Sequence, residues 1–267
     1  MNIFHAFLLG IIQGLTEFIP VSSTAHLLIG QKILGIPSSD AMFSFLVIVQ
    51  LGTIVSLIVY FWKDLRRLVL AFFAKPFSTQ ENKLGWYIII ATVPALLAGY
   101  LLKSVVQALF TIPLLEAAIR LIITSAILLL AEWLGKHNRS LETMNWLDAL
   151  IIGLFQVIAV FPGASRSGTT ISAGMFRGLD RKAAARFAFL MSIPVMLAAG
   201  SYQLLDVIKM PDLAGFLLPT LVGFVVAAIV GWLAVRWLLG YLNKHSLNIF
   251  AAYCAILGAV CLVLSVI

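Results

Sequence analysis

G-I-I-Q-G-L-T-E-F-I-P-V-S-S-T-A-H-L-L-I, residues 10–29, is apolar enough to enter a bilayer, yet it carries Gln13, Glu17, Ser22, Ser23, Thr24 and His26. An ionisable group is costly inside a membrane segment, so its presence marks a functional position. Gln13 and Glu17 are four apart and share a helix face, while Pro20 lacks a backbone donor and predicts a break in the helix. The chain restarts at Ser22-Ser23-Thr24. Hydroxyls and free amides there gather at the positive end of the next helix, which is the arrangement of an anion site. His26 falls on the first turn of that helix, within reach of the same bound group.

The composition around this stretch excludes a soluble domain. Of 267 residues, 62% are hydrophobic and 11% charged, with a mean hydropathy of +1.07, against about 45–50% apolar and 25% charged for soluble proteins. The chain reads as one polytopic membrane domain, 1–267. No basic residue precedes Lys32, so no cleavable signal peptide is expected and the first segment stays in the mature protein. Cys254 and Cys261 stand seven apart in one apolar helix, a spacing that suits packing and not a metal or redox pair. The net charge of +7 does not point to nucleic acid, because the basic residues fall in short loops between apolar runs, as membrane topology requires.

Apolar segments run over 1–30, 42–62, 85–102, 112–133, 148–176, 186–207, 215–239 and 249–267. A span needs about 20 apolar residues. The first and fifth are longer and are interrupted by Pro and Gly, which predicts pairs of half-helices that enter and leave on one side. If all eight segments crossed, the loop and boundary Lys and Arg would divide eight against eight. If 148–176 is re-entrant, the division becomes thirteen against three, with Lys32, Lys103 and Lys209 outside, as the positive-inside rule demands. The 63–84, 134–147, 177–185 and 240–248 loops are then cytoplasmic, beside an aromatic belt of Trp62, Trp86, Trp133, Trp146, Trp237 and Tyr241. A weak internal repeat extends the argument to the first segment. A shift of 143 lays Gly10-Ile11-Ile12-Gln13 over Gly153-Leu154-Phe155-Gln156 and Ser22 over Ser165, and Phe43–Leu46 resembles Phe187–Leu190. The expected fold is an all-α integral membrane protein with six transmembrane helices plus two re-entrant helix-loop-helix segments arranged as an inverted repeat, one half over about 1–133 and the other over about 148–267. Such repeats place a polar site near the midplane where their broken helices meet.

The second broken segment reads F-P-G-A-S-R-S-G-T-T-I-S, residues 161–172. Pro162-Gly163 makes the turn, and Ser165, Arg166, Ser167, Thr169 and Thr170 open the returning helix. A guanidinium binds phosphate in a planar, bidentate fashion, and small neighbours let backbone amides approach. No Walker motif occurs in the chain. The plainer reading is a structural ion pair between Arg166 and Glu17, which would not need the surrounding Ser, Thr, Gly and Pro.

Q-G-L-T-E-F-I-P-V-S-S-T-A-H (13–26) and P-G-A-S-R-S-G-T-T (162–170) closely resemble the two signatures of bacterial undecaprenyl-diphosphatases of the bacitracin-resistance type. The resemblance covers essentially the whole chain. It implies hydrolysis of undecaprenyl diphosphate to undecaprenyl phosphate, the carrier reused in cell-wall synthesis, in the bacterial plasma (inner) membrane. It also implies a divalent cation, Mg2+ or Ca2+, and a site opening to the periplasm. The family's motif accepts Glu or Gln where this chain has Gln13, so Glu17 is the motif's one carboxylate, which weakens any scheme with two acidic metal ligands.

The residues agree with that expectation. Phosphoryl transfer is catalysed mostly by positioning and charge stabilisation. Arg166 would clamp the diphosphate, with Gln13, Ser22, Thr24, Ser165, Ser167 and Thr170 binding it alongside the two helix N-termini. Glu17, with Gln13, would hold the cation or a water. Ser23 is the candidate nucleophile and His26 its base or the acid for the leaving group; attack by His26, or by a water that it activates, stays open. Glu116 and Arg120, four apart, are expected to pair inside the membrane. Gln50 could reach the headgroup or bond between helices, and His5, His137 and His245 are expected in solvent. The partners are a polyprenyl diphosphate and membrane lipid; a homodimer is left open. The rival reading is a transporter or flippase for a lipid phosphate or other anion. Glu17 and His26 beside the anion site speak for hydrolysis, because a carrier needs only positive charge there.

Overall fold

The structure is a computed structural model, and it describes residues 1–37, 39–102, 113–159, 165–207 and 213–266. Eleven α-helices occur among them: α1 (Ile3–Thr16), α2 (Ser23–Ile33), α3 (Asp40–Tyr60), α4 (Trp62–Phe72), α5 (Gln80–Leu101), α6 (Pro113–Leu134), α7 (Trp146–Ile158), α8 (Arg166–Phe176), α9 (Arg181–Val207), α10 (Leu213–Tyr241) and α11 (Asn248–Val266). No strand forms among the described residues beyond an isolated bridge between Arg139 and Leu179. Six of these helices are long and apolar enough to cross a bilayer: α3, α5, α6, α9, α10 and α11. The chain is a multi-pass membrane protein. α1 and α7 are apolar but shorter, and each is followed by a short polar-headed helix.

Both short pairs double back. At the outer end of the second pair, Asn145 and Asp148 form a reciprocal capping box at the start of α7. The same Asp148 accepts at 2.7 Å from Nε of Arg177, which follows the end of α8. One carboxylate thus ties the two outer ends of α7 and α8 together. In the first pair a Cβ on Gly30, near the end of α2, would lie 3.0 Å from Ile12 and 3.3 Å from Leu9 of α1. Met1 and Ile36, at the two outer ends, line one cavity together with Met42 of α3 and Phe216 of α10. Those elements lie at the opposite end of the bundle from Asp148.

The four loops expected to share a side do gather at one end. Gln80 donates to the Glu142 carbonyl at 2.6 Å, Arg139 to the Arg177 carbonyl at 2.7 Å, and Arg181 Nε to Glu132 at 2.8 Å. The Leu247 amide donates to Glu132 at 2.7 Å, and Arg186 pairs with Asp64. Ser38 and residues 103–112 and 208–212, which hold much of the expected outer loops, lie outside the described residues, as does the Pro162-Gly163 turn.

Two expectations need correction. The 63–84 stretch is not only loop: Trp62–Phe72 forms α4, with Lys63, Arg66 and Arg67 on one side and Leu68 buried. Its apolar residues are spaced for a helix at a surface, but they are too few and too interrupted to register as a span. His137, expected in solvent, has a side chain only 14% exposed, with its Nε2 3.2 Å from the Glu132 carbonyl. Cys254 and Cys261 are buried and free, as packing residues.

The short helices are held by the other half of the chain. α1 lies against α10 and α7 against α5. The approach is backbone-close: a Cβ on Gly10 would fall 2.7 Å from the Gly223 carbonyl oxygen, and one on Gly153 2.5 Å from that of Ala91. Small residues permit such contact between helices where no hydrophobic drive separates protein from lipid. Phe18, in the turn after α1, is buried edge-on against Phe189 of α9, centroids 5.4 Å apart. The turn is therefore pinned in the interior.

Candidate active site

α1 ends at Thr16, and Glu17 caps it with a backbone bond to the Gln13 carbonyl. Pro20 follows within a four-residue turn, so the helix stops before the proline can clash with it. The helical spacing puts the Gln13 side chain on Glu17, Nε2 to Oε2 at 2.7 Å. α2 then starts with Ser22 as N-cap at φ 67°, a left-handed conformation rare for a residue with a Cβ and costly unless the surroundings enforce it. No side chain caps the first amides of α2. They are left as donors at the positive end of the helix.

Glu17 is the centre of the arrangement. It is 5% exposed, and its Oε2 accepts from Gln13 and from the Ser23 hydroxyl, both at 2.7 Å. Oε1 accepts from the Arg166 guanidinium and, at 3.4 Å, from Gln50, which lies midway along α3. The two broken segments, 149 residues apart, therefore meet through one ion pair. A second contact supports the first, from the Ser167 hydroxyl to the Ile19 carbonyl at 3.4 Å. At the start of α8 the Ser165 hydroxyl caps Gly168 N at 3.2 Å and its own amide donates to Thr124, near the middle of α6, at 3.1 Å. Thr170 bonds back to the Arg166 carbonyl at 2.8 Å, which stiffens the first turn. A buried carboxylate-guanidinium pair is poor value for stability, since apolar residues of equal volume do as well or better. Its presence with four donors around one carboxylate indicates preorganisation for a ligand.

The family described as Bacitracin resistance protein BacA matches residues 6–260. The chain belongs to the BacA family. Among curated relatives, an Undecaprenyl-diphosphatase of Anaeromyxobacter dehalogenans is 44% identical over 97% of this chain and 90% of the relative. One of Chlorobium phaeobacteroides is 40% identical and one of Syntrophobacter fumaroxidans 37%, each over 97% of this chain and 95% of the relative.

In this BacA chain the sequence-selected residues do not all take the expected partners. Gln13, Glu17, Ser23 and Arg166 come together, with Ser165 and Ser167 beside them. The Ser23 hydroxyl bonds to Glu17 and not to His26. His26 Nδ1 sits 2.9 Å from the Ser22 carbonyl and Nε2 2.7 Å from the Tyr253 hydroxyl. Ser22 is buried, and its carbonyl is the group shown in use. Thr24 is exposed, and Thr170 is buried in the α8 turn. Gln50, expected either at the headgroup or in a bond between helices, donates to Glu17 Oε1 at 3.4 Å. Tyr253 and Thr124 were not selected from sequence: each lies in a long, largely apolar helix, and only the fold brings it to the broken segments.

A divalent cation can be tested against this donor set. Among the described residues no three His, Cys, Asp or Glu side chains gather. Glu17 and the Gln13 amide oxygen would supply two oxygen donors, enough for a hard cation that takes its other ligands from a diphosphate and water. The residues fit a cation that arrives with the substrate, and not a permanent cage.

Proposed function

We propose that this chain hydrolyses undecaprenyl diphosphate to undecaprenyl phosphate and inorganic phosphate in the bacterial inner membrane, at a site opening toward the periplasm. The observation that carries the reading is the Glu17 carboxylate, which holds the Ser23 hydroxyl on one oxygen and the Arg166 guanidinium on the other. The two helix pairs are re-entrant and related as inverted repeats, so that they dip into the bilayer from opposite faces and meet near its middle. The Asp148–Arg177 tie between the outer ends of α7 and α8 supports this arrangement, and the names of the relatives support the activity. Ser23 is half-buried and Thr24 exposed on α2, which supports entry of the diphosphate from the bilayer while the prenyl tail stays in lipid.

On substrate binding Arg166 turns its free donors to the terminal phosphate, helped by the uncapped amides of α2. Ser23 Oγ attacks the terminal phosphorus as its proton passes to Glu17 Oε2. The bond from that phosphorus to the bridging oxygen breaks, and undecaprenyl phosphate leaves with the electron pair. Glu17 passes the serine proton to the departing phosphate; as water then cleaves the phosphoserine, Glu17 takes a proton from the water and returns it to Ser23 Oγ. A cation held by Glu17 and Gln13 would neutralise charge on the diphosphate. Transport alone would need no base beside the serine. Purified protein in detergent, where no vectorial transport exists, should release inorganic phosphate from undecaprenyl diphosphate; binding without release would favour the carrier.

A further inference from the structure

Tyr253 has no part in the chemistry above. It stands on α11 in a stripe of outward-facing side chains at helical spacing, Ile249, Tyr253, Ile256 and Val260, and is itself 45% exposed. A phenol hydroxyl facing hydrocarbon without a partner is unfavourable. This one turns inward instead, to 2.7 Å from His26 Nε2, with the two rings 11° from parallel. The opposite edge of the imidazole is also held, Nδ1 lying 2.9 Å from the Ser22 carbonyl. A carbonyl only accepts, so Nδ1 carries the proton of the neutral ring. The remaining lone pair, on Nε2, then receives the phenol O–H. The same Ser22 carbonyl also accepts from the His26 amide at 3.3 Å, so both ends of the contact belong to the first turn of α2.

We infer that Tyr253 is a positioning residue for His26: it fixes the Nδ1–H tautomer and holds Nε2 at the lipid-facing edge of the site, where the diphosphate enters. The arrangement explains why Ser23 is bonded to Glu17 and not to His26, whose one lone pair is already engaged. A water that donates to Nε2 replaces the phenol with no rotation of the ring, because Ser22 keeps the other edge, and His26 then orients that water for cleavage of the phosphoserine. Only the kinetic part of this inference rests on the phosphatase reading.

The variant Tyr253→Phe keeps the aromatic ring, its stacking and its apolar face, and removes the hydroxyl. With undecaprenyl diphosphate in detergent, kcat should fall about fivefold, the equivalent of one neutral hydrogen bond of about 1 kcal/mol. KM should stay within about twofold, since the substrate does not touch the phenol. The chain has four histidines, so nitrogen-15 labelling of histidine gives a spectrum of four imidazoles, with His26 identified by its loss in His26→Gln. That imidazole should be the Nδ1–H tautomer in the wild type, and its Nε2 resonance should move toward the unbonded position in Tyr253→Phe. An Nε2–H tautomer in the wild type, an unmoved Nε2 resonance in the variant, or a rise in KM at constant kcat would overturn the positioning role. Absence of phosphatase activity in the wild type would remove the proposed function, while the spectrum would still decide what Tyr253 does.

Discussion

Glu17 and Arg166 each bury a charge that the other compensates, so single and double changes should separate stability from chemistry. Glu17→Gln keeps the shape and removes the charge, leaving Arg166 without its counter-ion at a cost of about 3–5 kcal/mol where burial is complete, less here because Arg166 is 18% exposed. Melting in detergent should drop, and the double variant Glu17→Gln, Arg166→Gln should recover much of the loss. Activity should not recover: removal of the base should lower kcat by roughly 10²-fold or more in both. A double variant that stays as unstable as the single would show that the pair does not compensate. Arg166→Lys tests geometry at constant charge, because an ammonium cannot reproduce the bidentate fork. Activity within about threefold of wild type, less than about 1 kcal/mol of barrier, would remove Arg166 from contact with the phosphate.

The two short helix pairs depend on glycines that let α1 and α7 sink against α10 and α5. Gly153→Leu forces a side chain where a Cβ alone would meet the Ala91 carbonyl oxygen at 2.5 Å. It should cost at least about 1–3 kcal/mol as overpacking and displace the start of α8 with Arg166. Gly240→Leu is the control, because nothing lies within 4 Å of its added Cβ. Equal melting temperatures for the two variants would refute the close packing of α7. The same elements show what could be read from the chain alone. Long apolar runs delimit the six spanning helices because solvation by lipid acts on every residue in them. Polar residues near Pro20 and Pro162 reveal the breaks because nothing else justifies their cost in a membrane. α4 was missed since its apolar residues are diluted by Lys63, Asp64, Arg66 and Arg67. Tyr253 and Thr124 were missed since a hydroxyl in a largely apolar helix looks the same whether it meets a histidine, a backbone amide or a lipid headgroup. The roles of Ser23 and His26 stay open in the sequence for a related reason: spacing places both on one turn, but the carboxylate and the phenol decide their partners.

At the scale of the molecule, the basic loops gathered by Glu132, Asp148 and Asp64 mark one end, and Lys32 with the start of α3 marks the other. If the basic end is cytoplasmic, a membrane-impermeant thiol reagent added to intact cells should label Lys32→Cys and miss Ser78→Cys. Both positions are exposed, and the native Cys254 and Cys261 are buried, so background should be low. Labelling of Ser78→Cys from outside would invert the orientation and place the site's mouth on the wrong face.

The most direct test of the composite site is phosphate release from undecaprenyl diphosphate by purified protein in detergent, measured for the wild type, Ser23→Ala and Arg166→Ala. The first change lies in one helix pair and the second in the other. The account predicts one inorganic phosphate per substrate for the wild type and near-complete loss in both variants, each still folded. Release that survives either change at close to the wild-type rate would mean that the two pairs do not share one active site.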